Sequence, residues 1–189
     1  MQSAKFVEQL IDAIDRAGLP YMLVGSFASN VFGITRSTKD ADVVVEFAGR
    51  KISDITRNLG AGYKLDPQMR FESVTGTSRF IIEVVGSPFL LEIFKLSEDP
   101  HDRERFARRM RQFSPEIGRD VFLLTAEDVI ITKLRWSVAL NRNKDRDDAR
   151  DVMAVQGDAL DWPYIYGWCD RHGTRALLDE VRASIPPID

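Results

Sequence analysis

The sequence predicts an α+β domain in which helices pack on a sheet and a helical portion follows at the C-terminal end. Three observations predict it. Segments of helical and strand periodicity alternate through the first 124 residues, Gly86-Ser87-Pro88 joins two apolar strand segments as a tight antiparallel turn, and from Thr125 onward the apolar residues keep helical spacing. The chain of 189 residues suits one packed domain, or a compact core of residues 1–124 carrying a helical portion at 125–189, the two possible as one continuous domain, and its length argues against a second full domain.

The elements follow in order. Phe6, Val7, Leu10, Ile11 and Ile14 fall on one helical face between Ser3, an N-cap candidate, and Gly18, a stop. Tyr21 to Val24 is a short apolar strand ended by Gly25-Ser26, and Phe27 to Phe32 follows as a brief helix. A second strand spans Ala41 to Phe47, and Ile52, Ile55 and Leu59 mark a helix closed by Gly60-Ala61-Gly62. Ser78 to Val85 and Phe89 to Phe94 are the two strands of the tight turn. His101 to Arg111 is a basic segment of helical character, and Asp120 to Leu124 is a strand. Thr125-Ala126-Glu127-Asp128 approximates a capping box ahead of the apolar helix that carries Val129, Ile130, Ile131 and Leu134. Asn141 to Asp148 reads as a polar link, and Ala149–Val155, Trp162–Cys169 and Thr174–Ser184 as helices.

Composition narrows the function classes. A single cysteine, Cys169, forms no internal disulfide, and no apolar run precedes a small-residue cleavage site, so a cytoplasmic, reducing location is expected. No apolar segment reaches the roughly 20 residues that cross a bilayer. A net charge of −3 argues against nonspecific coating of nucleic acid. The group Arg103, Arg105, Arg108, Arg109 and Arg111 is either a local RNA-binding patch or a solvated helix face diluted by Asp102 and Glu104. His101 and His172 stand too far apart in sequence to suggest a metal centre or a base, and Trp136, Trp162 and Trp168 read as core.

The chemistry is concentrated in Val24-Gly25-Ser26 and in Arg36-Ser37-Thr38-Lys39-Asp40-Ala41-Asp42, which opens a valine run. In a strand, residues i and i+2 face the same side about 7 Å apart, so Asp40 and Asp42 share one face and Ala41, Val43 and Val45 the other. Two neighbouring carboxylates stay ionised together most readily around a cation. Oxygen ligands of this kind suit Mg²⁺, which also takes up substrate phosphates; Mn²⁺ is the alternative ion. Gly25 permits close backbone approach, Ser26 offers a hydroxyl, and the helix N-terminus behind them offers free N–H groups to a phosphate. A solvated strand edge is the simpler account of a lone Asp-x-Asp.

The joint pattern of Gly25, Ser26, Asp40 and Asp42, with 13 residues between Ser26 and Asp40, resembles the nucleotidyltransferase superfamily. The resemblance implies a two-layer α+β fold with a mixed, mostly antiparallel sheet flanked by helices. It also implies a third carboxylate on a neighbouring strand, for which Glu92 in Leu90-Leu91-Glu92-Ile93-Phe94 fits better than Glu83, although the family's usual residue is aspartate. The stretches Thr125 to Trp136, Asp148 to Gly157 and Leu160 to Tyr164 look like the helical part of the AbiEii/AbiGii toxin-like group. That likeness implies a lysine and an aspartate facing the nucleotide, here Lys133 and Asp148, with Asp145 a neighbouring candidate. On residue type alone, Lys133 is a cation snorkelling from an apolar helix, and Asp145 and Asp148 belong to a mixed, solvated charge run.

The implied activity is transfer of a nucleoside monophosphate from an NTP to a hydroxyl. Asp40, Asp42 and Glu92 would hold the metal and serve catalysis, and Gly25, Ser26, Lys133 and Asp148 would bind the nucleotide. An RNA end of tRNA type or a protein hydroxyl is the implied acceptor, and an antitoxin a possible partner. Two rival readings are a nucleotide-binding or partner-binding module of the same fold without catalysis, and a glycosyltransferase using the acidic pair, against which the upstream Gly-Ser turn and the short chain speak.

Overall fold

The computed structural model describes residues 2–186, which form an α+β fold. In chain order the elements are α1 (Gln2–Arg16), β1 (Tyr21–Val24), α2 (Gly25–Phe32), β2 (Asp40–Val45), α3 (Ile52–Thr56), β3 (Tyr63–Leu65), β4 (Arg70–Glu72), β5 (Thr77–Val84), β6 (Leu90–Lys95), α4 (Pro100–Ala107), β7 (Met110–Ser114) and β8 (Arg119–Leu123), then α5 (Ala126–Leu140), α6 (Asn143–Gln156), α7 (Trp162–His172) and α8 (Arg175–Ala183). The strands make one sheet in the order β3-β5-β6-β2-β1-β8-β7, with β4 paired to β5. It is mixed and mostly antiparallel: β1–β8 and β2–β6 are parallel, and the other pairings run antiparallel.

The two faces of the sheet differ in chemistry because side chains alternate along each strand. On β2, Ala41, Val43 and Val45 are fully buried and continue into Leu91 and Ile93 of β6. The opposite face carries Asp40, Asp42 and Val44, and α5 and α6 complete a cavity over it. Helix α1 buries Val7, Leu10, Ile11 and Ile14, the face its periodicity predicts. Asn58 ties the turn after α3 to α1 through the Ala13 carbonyl at 3.3 Å.

The helical portion is locked to α4 by a buried polar cluster. Asp128 Oδ1 accepts from the Tyr164 hydroxyl at 2.8 Å and lies 3.0 Å from His101 Nε2, and Thr125 Oγ1 is 3.0 Å from Asp128 Oδ2. Burial alone would raise Asp128, but hydrogen bonds from His101, Tyr164 and Thr125 outweigh it and hold the carboxyl below the usual range. Only half of a capping box forms. Thr125 caps the Asp128 N–H, while the Asp128 carboxylate turns to His101 and Tyr164.

Several expectations are corrected here. Ser3 lies inside α1 rather than capping it, and α3 stops at Thr56, short of Leu59. Strands β3 and β4 are too short, at three residues each, to show a period. The basic segment is helical only to Ala107; from Met110 it is edge strand β7, because pairing with β8 across the turn at Gly118 (φ +80°) overrides helical propensity. Most of the supposed link at 141–148 is the start of α6, and its polar residues pair with α5 and the loop before β2. His101 and His172 are neighbours in space, ring centroids 5.1 Å apart with Trp168 against both, because α7 brings Trp168 and His172 against the first turn of α4.

This histidine pair gives a pH prediction. Burial, then the Arg135 charge, then His101 push His172 down from 6.5 to about 4, with Asp99 opposing and Arg171 adding to the effect. Between these values the unfolded chain binds a proton that the folded chain refuses, so stability falls as pH drops from 6.5 toward 4. His172→Gln is expected to flatten that slope in denaturant titrations at pH 7.5 and pH 5. An unchanged slope would place the proton uptake elsewhere.

Candidate active site

The site begins where β1 stops. Val24 lies opposite Asp42 in the β1–β2 ladder, and the next residue, Gly25, turns the chain into α2 with φ +62°. A Cβ on Gly25 would stand 2.0 Å from Asp42 Oδ2 and 2.9 Å from Asp42 Cγ. The carboxylate therefore occupies the space where any other residue would carry its side chain. Asp42 is in turn level with Glu92 across the parallel β2–β6 pair, so both project to the cavity face.

Two of the three carboxylates have a holder. Thr38 donates to Asp40 Oδ1 at 2.8 Å. Arg79, on the next strand, donates to Glu92 Oε2 at 2.9 Å. Among the described residues Asp42 has no such donor, and burial first, then the charges of Asp40 and Glu92, raise its pKa to about 7 against the pull of Lys133 and Lys144. A cation between Asp40 and Asp42 would relieve that repulsion, and Mg²⁺ is commonly held by one or two carboxylates with phosphates completing its shell. The donor set fits such an ion in that manner. Among the described residues, no three His, Cys, Asp or Glu side chains form a closed ligand set, and Glu92 is engaged by Arg79.

The helical portion supplies cations and their partners. Lys133 is buried, not snorkelling: its Nζ lies 2.9 Å from Asp145 Oδ1 and 2.6 Å from Asp148 Oδ2. Arg36 grips Asp148 as a fork, Nε to Oδ1 and NH2 to Oδ2, both at 2.7 Å, and NH2 also donates to Ser26 Oγ at 3.1 Å. Burial alone would raise Asp148, but the Arg36 hydrogen bonds and the Lys133 charge more than offset it and lower its pKa. Asp145 Oδ2 is buried without a hydrogen-bond partner among the described residues.

Gly25, Ser26, Asp40, Asp42, Glu92 and Lys133 all line one cavity of about 170 Å³. Asp148 stands outside the lining, behind Lys133 and Arg36, while the neighbouring candidate Asp145 lines it. Glu83 is exposed away from it. Sequence reasoning missed Arg36, Thr38 and Arg79 as holders, and Arg142 and Lys144 as cations of the lining. A sign was present for Thr38 alone, a hydroxyl two residues before an acidic position.

The arginine group is mostly spent within the fold. Arg105 is buried on Asp102 with Nε to Oδ1 at 2.6 Å, and Arg103 pairs with Glu98 and lies 3.5 Å from Glu46. Arg108 lies 3.9 Å over the Tyr164 ring, Arg109 lies 4.2 Å over Phe106, and Arg111 is 3.7 Å from Asp120. No helix among the described residues is long and apolar enough to cross a membrane.

No protein-family model and no curated protein matches the chain. Solved structures do. The solution structure of the antibiotic-resistance factor ANT(2'')-Ia aligns over 95% of this chain and 95% of its own at TM-score 0.63 and 15% identity. The crystal structure of ANT(2'')-Ia in complex with adenylyl-2''-tobramycin aligns over 93% and 99% at TM-score 0.61 and 15% identity. An antigenic nucleotidyltransferase-like protein from Paracoccidioides brasiliensis aligns over 96% and 92% at TM-score 0.54 and 15% identity. At such identity the likeness is one of fold, and the chain has the fold of these nucleotidyltransferase structures.

Two predictions follow from the Gly25–Asp42 contact. Gly25→Ala is expected to destabilise the protein by more than Gly18→Ala. Both glycines have positive φ, +62° and +65°, a conformation that costs other residues about 1–2 kcal/mol, but nothing lies within 4 Å of a Cβ at Gly18. Equal losses in urea titrations would show that the contact carries no cost. The second concerns pH: a carboxyl at about 7 in the folded chain and 3.8 in the unfolded one makes the folded state bind more protons between those values. Stability contributed by protonated Asp42 is therefore lost as pH rises toward 7 and beyond, and Asp42→Asn is expected to be the more stable protein at pH 8, with the difference vanishing at pH 4 in metal-free buffer.

Proposed function

We propose that this chain transfers a nucleoside monophosphate from an NTP to a hydroxyl group. The observation that carries the reading is the placing of Asp40, Asp42 and Glu92 on one face of the cavity, next to the Gly25-Ser26 turn and the N-terminus of α2. Gly25, Ser26 and the free N–H groups of α2 take the phosphates, with Lys133 close by. Asp40 and Asp42 would hold Mg²⁺, or Mn²⁺ in its place, and Glu92 would complete the site. A divalent ion bound there supplies neutralisation of the phosphates and of the entering and leaving oxygens. Glu92 takes the proton of the acceptor hydroxyl, a new bond forms from that oxygen to the α-phosphorus, and the bond to the pyrophosphate oxygen breaks on the opposite side.

The acceptor we propose is an RNA end of tRNA type or a protein hydroxyl, acting in the cytoplasm. The adenylylated tobramycin on ANT(2'')-Ia brings a small-molecule hydroxyl into consideration. Against a polycationic acceptor here, Glu92, Asp102 and Asp145 in the lining are each already paired with Arg79, Arg105 and Lys133. The likeness of the helical portion to the AbiEii/AbiGii group supports a toxin role with an antitoxin partner. A second reading, a nucleotide-binding module without turnover, is favoured by one contact, the Glu92–Arg79 pair at 2.9 Å, which occupies the carboxylate that would serve as base.

Purified protein is incubated with each α-³²P-labelled NTP, Mg²⁺, and total cellular RNA plus protein, beside Asp42→Ala. Label on RNA or protein with the unmutated chain alone is the expected result. NTP binding with no label would favour the module, and label transfer by Asp42→Ala would remove the proposed metal site.

A further inference from the structure

The Arg36 contact with Ser26 has a specific chemical effect. A serine hydroxyl has one proton to donate and lone pairs to accept with. Among the described residues the one hydrogen-bond partner of Ser26 Oγ is Arg36 NH2, at 3.1 Å, and a guanidinium can only donate. Ser26 must therefore accept from Arg36, which leaves its own proton for a different partner. Ser26 is buried and lines the cavity, whereas Arg36 does not line it.

Arg36 is itself held from both ends. Its backbone N–H donates to Asn30 Oδ1 at 3.0 Å and its carbonyl accepts from Asn30 Nδ2 at 2.9 Å, which pins the loop to α2. Its Nε and NH2 engage both oxygens of Asp148 at 2.7 Å, which pins the side chain to α6. The fork leaves the second N–H of NH2 directed at Ser26. A lysine, with a point charge and no planar fork, cannot reproduce both contacts at once.

We propose that Arg36 is a positioning residue for phosphate recognition. Oriented by Asp148, it occupies a lone pair of Ser26 Oγ and so commits the hydroxyl to donate to a phosphate oxygen in the cavity. The assignment rests on the reading of this cavity as an NTP site. It gives Asp148 a role one step removed from the ligand, consistent with its place behind the lining.

The test is a double-mutant cycle on the full chain: Ser26→Ala, Arg36→Gln, and both together, with Mg²⁺ and each of the four NTPs and NMPs titrated by calorimetry. Arg36→Gln is expected to weaken NTP binding about tenfold or more, the scale of a hydrogen bond to a charged group, and to leave NMP binding within about twofold. In the Ser26→Ala background the same change is expected to cost little more, because contacting residues are non-additive. Losses that multiply, or equal losses for NTP and NMP, would overturn the proposal and leave Arg36 as a clamp between loop and helix. Arg36→Lys covers the case in which Arg36→Gln fails to fold. It is expected to keep the melting temperature but not the NTP affinity, and full NTP affinity in that variant would equally overturn the proposal. If the unmutated protein binds no NTP, the reading of the cavity falls and this assignment falls with it; additive losses in a protein that does bind NTP remove this assignment alone.

Discussion

The rest of the site depends on a missing atom. Because Gly25 has no Cβ, Asp42 can place its carboxylate against the first turn of α2, and that one close approach brings an acid next to a helix N-terminus. Everything else is arranged around the repulsion this creates. Asp40 sits two residues away on the same face and Glu92 sits level on the next strand, so three negative groups share one low-dielectric wall. An arrangement of this kind costs stability in the empty protein and is repaid only by a positive ligand.

The helical portion answers the acids with a balanced set of charges rather than with a positive surface. Lys133 sits between Asp145 and Asp148, and Arg36 shares Asp148 with it. Two cations and two anions thus form a chain from the loop before β2, through α6, to the middle of α5. Their sum is zero, and their order is directional: Lys133 and Asp145 line the cavity, while Arg36 and Asp148 lie behind them, with Arg36 reaching Ser26. A buried network of this type is costly unless each member is satisfied. The exception is Asp145 Oδ2, which has no partner among the described residues.

Much of the fold was legible because its long elements carry clean periods. The apolar face of α1, the β5–β6 turn, and the glycine that ends β1 each follow from local chemistry. What was not legible depended on partners distant in sequence. Strand β7 exists because β8 pairs with it, and nothing in Met110 to Ser114 itself favours a strand over the helix before it. The acidic pair was legible because alternation along a strand fixes its common face, and Lys133 stood out as a charge in an apolar helix. Arg36 and Arg79 could not be found that way. Their partners lie 112 and 13 residues further along, on other elements, and a lone arginine in a polar loop or a strand has no period to betray it.

The order of strands has a consequence for how the molecule is made. Strand β1 pairs on one side with β2, about 20 residues later, and on the other with β8, where Leu23 meets Leu123. A chain emerging from the ribosome can form the hairpin-like β1–β2 pair early, but the parallel partner is synthesised only after another eighty or so residues, and contacts of such long range form slowly. Lys133 and Asp148 come later still. During synthesis Asp40, Asp42 and Glu92 therefore emerge, with Arg79 among them, before Lys133 and Lys144, the cations that oppose the repulsion at Asp42, so the acidic wall is made before the helices that cover it.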